Sequence, residues 1–156
     1  MLTGGPTLKQ LLLCRAGLRL CGLPLEHVAE TLRPLPVEPV ADAPAYVLGL
    51  TRLRGRPAPV VDLARLFGSE GAAAPTRFVA LRLSGRQLAL AVTHVAGVRG
   101  VDPTTLEGVP AIAGELEASV TEHLGTADAE LLVVLQATKL LPESVWQVMP
   151  PARSST

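Results

Sequence analysis

The chain has 156 residues, enough for one domain or two small packed lobes around a sizeable core. Lys+Arg and Asp+Glu balance at 14 each, a formal net charge of +0, which excludes the basic excess that a nucleic-acid partner demands. Hydrophobic residues make up 48% and aromatic residues only 3%, so the core is aliphatic, and no apolar run approaches the roughly 18 residues that mark a membrane span.

Residues 1–8 read as a flexible N-terminus without the basic-then-apolar order of a signal peptide, so a cytoplasmic protein with no direct membrane insertion is expected. Lys9–Cys14 predicts a strand, Arg15-Ala16-Gly17 a turn with Gly17 free to take a positive φ, and Leu18–Leu23 a period-two strand folded back on the first. Cys14 and Cys21 fall on these consecutive strands; facing cysteines can bridge, but a reducing compartment favours two small core hydrophobes. Pro24–Glu30 predicts a short helical turn, and Pro34, Pro36 and Pro39 keep the following chain out of helix. After a proline-marked loop at Ala41–Ala45, Val47–Leu53 predicts a strand, Arg54–Pro57 a tight turn about Gly55, and Ala58–Val61 another strand. Asp62 is placed to cap a short helix, Leu63–Phe67, closed by Gly68.

Ser69–Pro75 reads as a linker. Arg77–Leu83 and Gln87–Val92 predict strands joined at Ser84-Gly85, with Val79, Leu81 and Leu83 sharing one face. His94–Val101 predicts a strand broken at Gly97 and Gly100, and Asp102–Gly114 a loop. Glu115–Thr121 and Ala129–Leu135 are further strand candidates, and residues 143–156 form a C-terminal helical turn and tail. Each half opens with strand, glycine turn and strand, then His27-Val28-Ala29 or His94-Val95-Ala96. Two similar lobes, about 15–68 and 76–135, with or without exchange of their terminal strands, account for this; chance likeness in a Leu/Ala/Val-rich chain is the competing account. Many short strands between Gly/Pro turns point to an all-β chain of small barrels.

Catalytic patterns are absent. His27, His94 and His123 lack the paired spacing of a zinc helix, Cys14 and Cys21 form no CxxC, and there is no nucleophile elbow, P-loop or dinucleotide fingerprint. No enzyme, cofactor, metal or small-molecule substrate is therefore expected. The conspicuous polar group is Arg52, Arg54 and Arg56, placed by alternation on one face around Gly55. Two readings fit it: a solvated hairpin end, or a contact site for a partner's carboxylates.

The run Ala43-Pro44-Ala45-Tyr46-Val47-Leu48-Gly49-Leu50-Thr51-Arg52-Leu53-Arg54-Gly55-Arg56-Pro57-Ala58-Pro59-Val60-Val61-Asp62-Leu63 resembles the signature of the chemotaxis coupling (CheW-like) family. That signature is a proline-led turn, an aliphatic-Gly segment, Asn-Leu-Arg-Gly and an aliphatic-Pro-aliphatic-aliphatic-Asp-Leu run. Gly22–Glu30, Val95–Val98 and Glu130–Leu135 with Leu140-Leu141 resemble its flanking segments, so the likeness spans about residues 9–142. It implies two small SH3-like five-stranded β-barrel lobes packed together, with short helical segments. It also implies a non-catalytic adaptor that links chemoreceptor cytoplasmic tips to the regulatory domain of a CheA-type histidine kinase, reaching membrane-bound arrays through these partners. Carried over by the motif, Glu30, Arg52, Leu53, Arg54, Gly55 and Arg56 are expected at the protein-binding surface, and Gly17, Gly49, Pro59, Asp62 and Gly85 in structural roles. The chain departs from the pattern at Arg52, where asparagine is usual, at Arg56-Pro57-Ala58, where the pattern is aliphatic, and across Asp102–Ala129. These departures leave room for a coupler in a pathway with another output, such as pili or gliding, or for a binding domain outside chemotaxis.

Overall fold

The computed structural model describes residues 7–68, 74–106, 121–127 and 130–148. Most of the expected N-terminal arm (1–6), the core of the linker (69–73), nearly all of the 115–121 strand candidate and the tail from 149 lie outside the described residues.

Ten strands form among the described residues, in chain order: β1 (Lys9–Ala16), β2 (Arg19–Pro24), β3 (Val28–Leu32), β4 (Val47–Leu53), β5 (Arg56–Asp62), β6 (Arg77–Leu83), β7 (Arg86–Val92), β8 (His94–Val101), β9 (Thr121–Ala127) and β10 (Glu130–Leu135). Among the described residues helix is confined to α1 (Leu63–Leu66), α2 (Glu143–Val148) and three single 3-10 turns. The strands make two five-stranded sheets, ordered β8-β1-β2-β10-β9 and β3-β6-β7-β5-β4. The two orders are the same pattern. In each, a hairpin from one half of the chain (β1–β2 or β6–β7) is flanked by three strands of the other half. Each sheet is mixed, with one parallel pair, β10–β2 in the first and β5–β7 in the second.

The expected barrels do not form. Among the described residues neither sheet closes: its edge strands, β8 and β9 or β3 and β4, share no ladder. In the second sheet the physical reason is visible. The segment leaving β3 reaches the outer edge of β4, where Glu38 and Leu50 exchange two backbone hydrogen bonds of 2.8 Å, and Thr51 Oγ1 donates to the Pro36 carbonyl at 2.8 Å. Pro34, Pro36 and Pro39 have no N–H to donate, so the contact stops at one isolated bridge and cannot extend into a ladder. His94–Val101, expected to break at its glycines, is continuous. Leu13 pairs with Gly97 and Cys14 with Val95, so a bulge absorbs one residue, and Gly97 takes φ 114°.

Both faces of each sheet carry buried aliphatic residues, which is why several strands read as continuous apolar runs. One face of each contributes to a shared layer between the sheets, which includes Leu12, Cys14 and Val133 from the first and Val79, Leu88 and Leu90 from the second. The opposite faces hold smaller clusters: Leu11, Leu20 and Leu132 in the first, Leu53, Val60 and Phe78 in the second. Cys14 and Cys21 are register partners in the shared layer, unbridged and fully buried. Burial pushes the Cys14 thiol well up and the Cys21 thiol up to about 12, so both behave as packing groups.

Candidate protein-binding site

The expected contact residues converge because of the parallel β5–β7 pairing. Each strand starts immediately after a two-residue turn, Arg54-Gly55 or Ser84-Gly85, so both turns lie at one end of the second sheet. All four turn residues have positive φ (Arg54 52°, Gly55 79°, Ser84 50°, Gly85 85°), the geometry of hairpin turns that match the right-handed twist of their strands. Arg54 and Ser84 take that conformation without glycine's freedom, a strain tolerated because the flanking ladders fix the turn. β3 runs antiparallel to β6, with Val28 opposite Leu81 and Glu30 opposite Ala80, which brings Glu30 to the same end.

The result is a groove of about 390 Å³. Its rim holds Arg52, Arg54 and Arg56 from one hairpin and Arg82 and Arg86 from the other; its apolar lining includes Leu32, Leu35 and Leu81. Of the expected binding residues, Glu30 and Arg54 meet each other: Arg54 Nε and Nη2 donate to Glu30 Oε2 at 3.1 and 2.8 Å. This exposed pair spans the gap between β3 and the β4–β5 turn, joining by side chains the two edges that the backbone leaves open. Exposed pairs of this kind contribute about 0–1 kcal/mol, so it holds the edges only lightly. Arg52 points into solvent and donates weakly to the Gly55 carbonyl at 3.5 Å. Leu53 is buried at the groove floor among Ala58, Val60 and Phe78, and Arg56 is exposed.

The residues given structural roles sit as follows. The Gly17 N–H donates to Thr93 Oγ1 at 2.9 Å from a turn with φ 63°. Gly49 has φ 144°, and an added Cβ would lie 2.1 Å from the Glu38 carbonyl oxygen, so the bridge to Glu38 requires glycine there. Pro59 lies in β5 just before the parallel ladder to β7 begins at Val60, so its missing donor costs that ladder nothing. Asp62 is buried and caps α1 by accepting from the Arg65 N–H at 3.2 Å, while its own N–H donates to the Tyr46 carbonyl at 2.7 Å. Gly85 closes the β6–β7 turn.

Arg82 and Arg86 were not among the residues expected at the site. The sequence does carry a signal for them: Arg52-Leu53-Arg54-Gly55-Arg56 recurs as Arg82-Leu83-Ser84-Gly85-Arg86. Arg86 donates to both Glu143 oxygens at 2.7 and 2.9 Å and lies 4.8 Å over the Trp146 ring, tying α2 to the β6–β7 hairpin. The Arg86 hydrogen bonds hold the Glu143 carboxyl below the usual glutamate range. Among the described residues no group of three or more His, Cys, Asp and Glu side chains could hold a metal, and no helix is long and apolar enough to cross a membrane.

Comparison with known proteins bears on the family and the fold. A model of the CheW-like domain matches residues 10–145. The chain is 28% identical to a chemotaxis protein CheW of Rhizobium meliloti over 109 residues, covering 69% of this chain and 70% of that one. It is 26% identical to a chemotaxis protein CheW of Treponema pallidum over 137 residues, covering 84% and 81%. The crystal structure of the scaffolding protein TtCheW from Thermoanaerobacter tengcongensis superposes with a TM-score of 0.78 at 22% identity, covering 90% of this chain and 92% of that one, which is a likeness of fold. With the family model matching most of its length, this chain belongs to the CheW-like domain family and is a non-catalytic scaffold of chemotaxis signalling.

Proposed function

We propose that the chain couples the cytoplasmic tips of chemoreceptors to the regulatory domain of a CheA-type histidine kinase, with Glu30, Arg52, Leu53, Arg54, Gly55 and Arg56 in the contact surface. The observation that carries this reading is the exposed Arg54 hairpin, held in a strained left-handed turn beside Glu30 at the mouth of a groove. Function travels through contact geometry: apolar lining gives affinity, rim charges give register and discrimination, and no group is transferred. The protein works in the cytoplasm and reaches the membrane through the receptors it binds.

Isothermal titration of the full chain with the regulatory domain of the organism's own kinase, and separately with a receptor tip fragment, tests this. Saturable micromolar or tighter binding to both is expected. Arg54→Ala is expected to weaken one of the two interactions and thereby assign the hairpin to that partner. Absence of binding to either partner would leave the family likeness speaking for the fold alone.

A further inference from the structure

The repeated pattern Arg-Leu-x-Gly-Arg places cations from two hairpins on one rim. Three guanidiniums come from Arg52, Arg54 and Arg56 and two from Arg82 and Arg86. The carboxylates that answer them are Glu30, bound to Arg54, and Glu143, bound to Arg86. Arg56 and Arg82 are exposed and form no ion pair with a described residue, and Arg52 reaches only a carbonyl at 3.5 Å. Among the described residues, five cations against two anions leave a local excess of +3 in a chain whose formal net charge is +0. That charge is concentrated at one end of one sheet. Between the arginines lie the half-buried Leu32 and Leu35, so the groove is cationic at its rim and aliphatic inside.

We infer that this groove takes an acidic segment of a partner protein, with its carboxylates on Arg52, Arg56 and Arg82 and an aliphatic side chain against Leu32 and Leu35. The planar guanidinium fork matches a carboxylate bidentately, and three unanswered forks around an apolar lining select alternating acidic and aliphatic character. An excess of three charges is small for a polyphosphate chain, which gains its affinity from many released counterions. The inference rests on the coupling role proposed above and specifies the chemistry of the segment that this face accepts.

The probe is a fluorescein-labelled peptide with four glutamates flanking one leucine, compared with the same peptide carrying glutamines. Both are titrated into the full chain by fluorescence anisotropy at low and moderate salt. The glutamate peptide is expected to bind saturably, with binding weakened by salt, and at least tenfold tighter than the glutamine peptide. The Arg56→Ala/Arg82→Ala variant is expected to lose on the order of tenfold in affinity, while Arg77→Ala, at the far end of β6, stays within about twofold. Equal binding of the two peptides, an unweakened double variant, or displacement of the peptide by a lower concentration of oligouridylate would overturn the inference. Thermal unfolding of the double variant confirms that it is folded. Titrating that variant with the kinase regulatory domain and the receptor tip separates the two proposals. Undiminished binding of both partners sinks the acidic-segment inference alone, and failure of wild type to bind either partner sinks the coupling role.

Discussion

The two sheets share one topology and differ at their hairpin ends. In the second sheet, the parallel β5–β7 pair gathers five arginines around a groove. In the first, the parallel β2–β10 pair brings Arg15 and Glu130 together, and the charge is neutralised there: Arg15 donates to both Glu130 oxygens at 2.7 Å. The tip of that hairpin is Leu18, 94% exposed, and the neighbouring Arg19 guanidinium lies 4.9 Å from the centre of the Phe67 ring. The contrast separates two kinds of information in the chain. The buried layer between the sheets specifies the architecture twice over. The hairpin tips contribute little to the core, so they diverge in charge and hydrophobicity without disturbing it. One end is therefore suited to polar recognition, and the other presents the exposed Leu18 and Leu131 beside a closed ion pair.

The largest expected effect breaks the part the sheets have in common. Leu90→Ala, in the shared layer, should destabilise the protein by about 2–5 kcal/mol, read from denaturant midpoints, whereas Leu18→Ala at the exposed tip should stay within about 0.5 kcal/mol. Comparable losses from the two would show that the layer is not the common core. Next is Gly49→Ala, which sets a methyl group against the Glu38 carbonyl and should cost about 1–3 kcal/mol while leaving the first sheet's amide protection intact. A smaller loss, about 1 kcal/mol, is expected from Asp62→Ala, which uncaps α1; a thermal melt unchanged from wild type would contradict the cap.

A pH experiment sharpens the comparison at lower amplitude. Glu130 and Glu143 are held below the ordinary glutamate range, first by hydrogen bonds from Arg15 and Arg86 respectively. A carboxylate with a depressed folded pKa contributes stability that is fully present above its unfolded value, about 4.3, and lost as pH falls through the folded value. Stability should therefore decline on acidification through that window, and Glu130→Gln/Glu143→Gln should flatten the decline. An equally steep acid slope in the double variant would show that the pairs contribute nothing. The smallest effect is chemical: with thiols raised by burial, Cys14 and Cys21 should resist alkylation at pH 8 in the native protein and react once it is unfolded.

Much of the fold is written locally. Val47–Leu53 and Arg77–Leu83 appear with the bounds that alternation gives, and the glycine turns fall where positive φ is needed. The pairings that organise the sheets are not local. Nothing in the spacing of Val60 or Ala89 announces that β5 and β7 lie side by side, because parallel partners are joined through intervening structure. β9 is not foreshadowed because Thr-Glu-His-Leu-Gly-Thr-Ala offers no alternation, and the helical turn expected over Pro24–Glu30 ends at His27, where β3 begins at Val28. The expected barrels follow from short strands between Gly/Pro turns as much as from family likeness, and Pro34, Pro36 and Pro39 show why closure stops at one bridge in the second sheet. The site was half legible: the Arg54 turn stands out in the motif, and the repeated Arg-Leu-x-Gly-Arg pattern signals Arg82 and Arg86, but their place beside it comes from the long-range pairing.

The coupling role is tested most directly by co-sedimentation of full-length kinase with vesicles bearing the cognate receptor, with and without this chain. The kinase should enter the vesicle pellet only when the chain is present, in proportion to the amount added, and its autophosphorylation should then respond to receptor ligand. A kinase that pellets equally without the chain, or that stays in the supernatant whatever amount is added, would contradict a scaffold that joins the two.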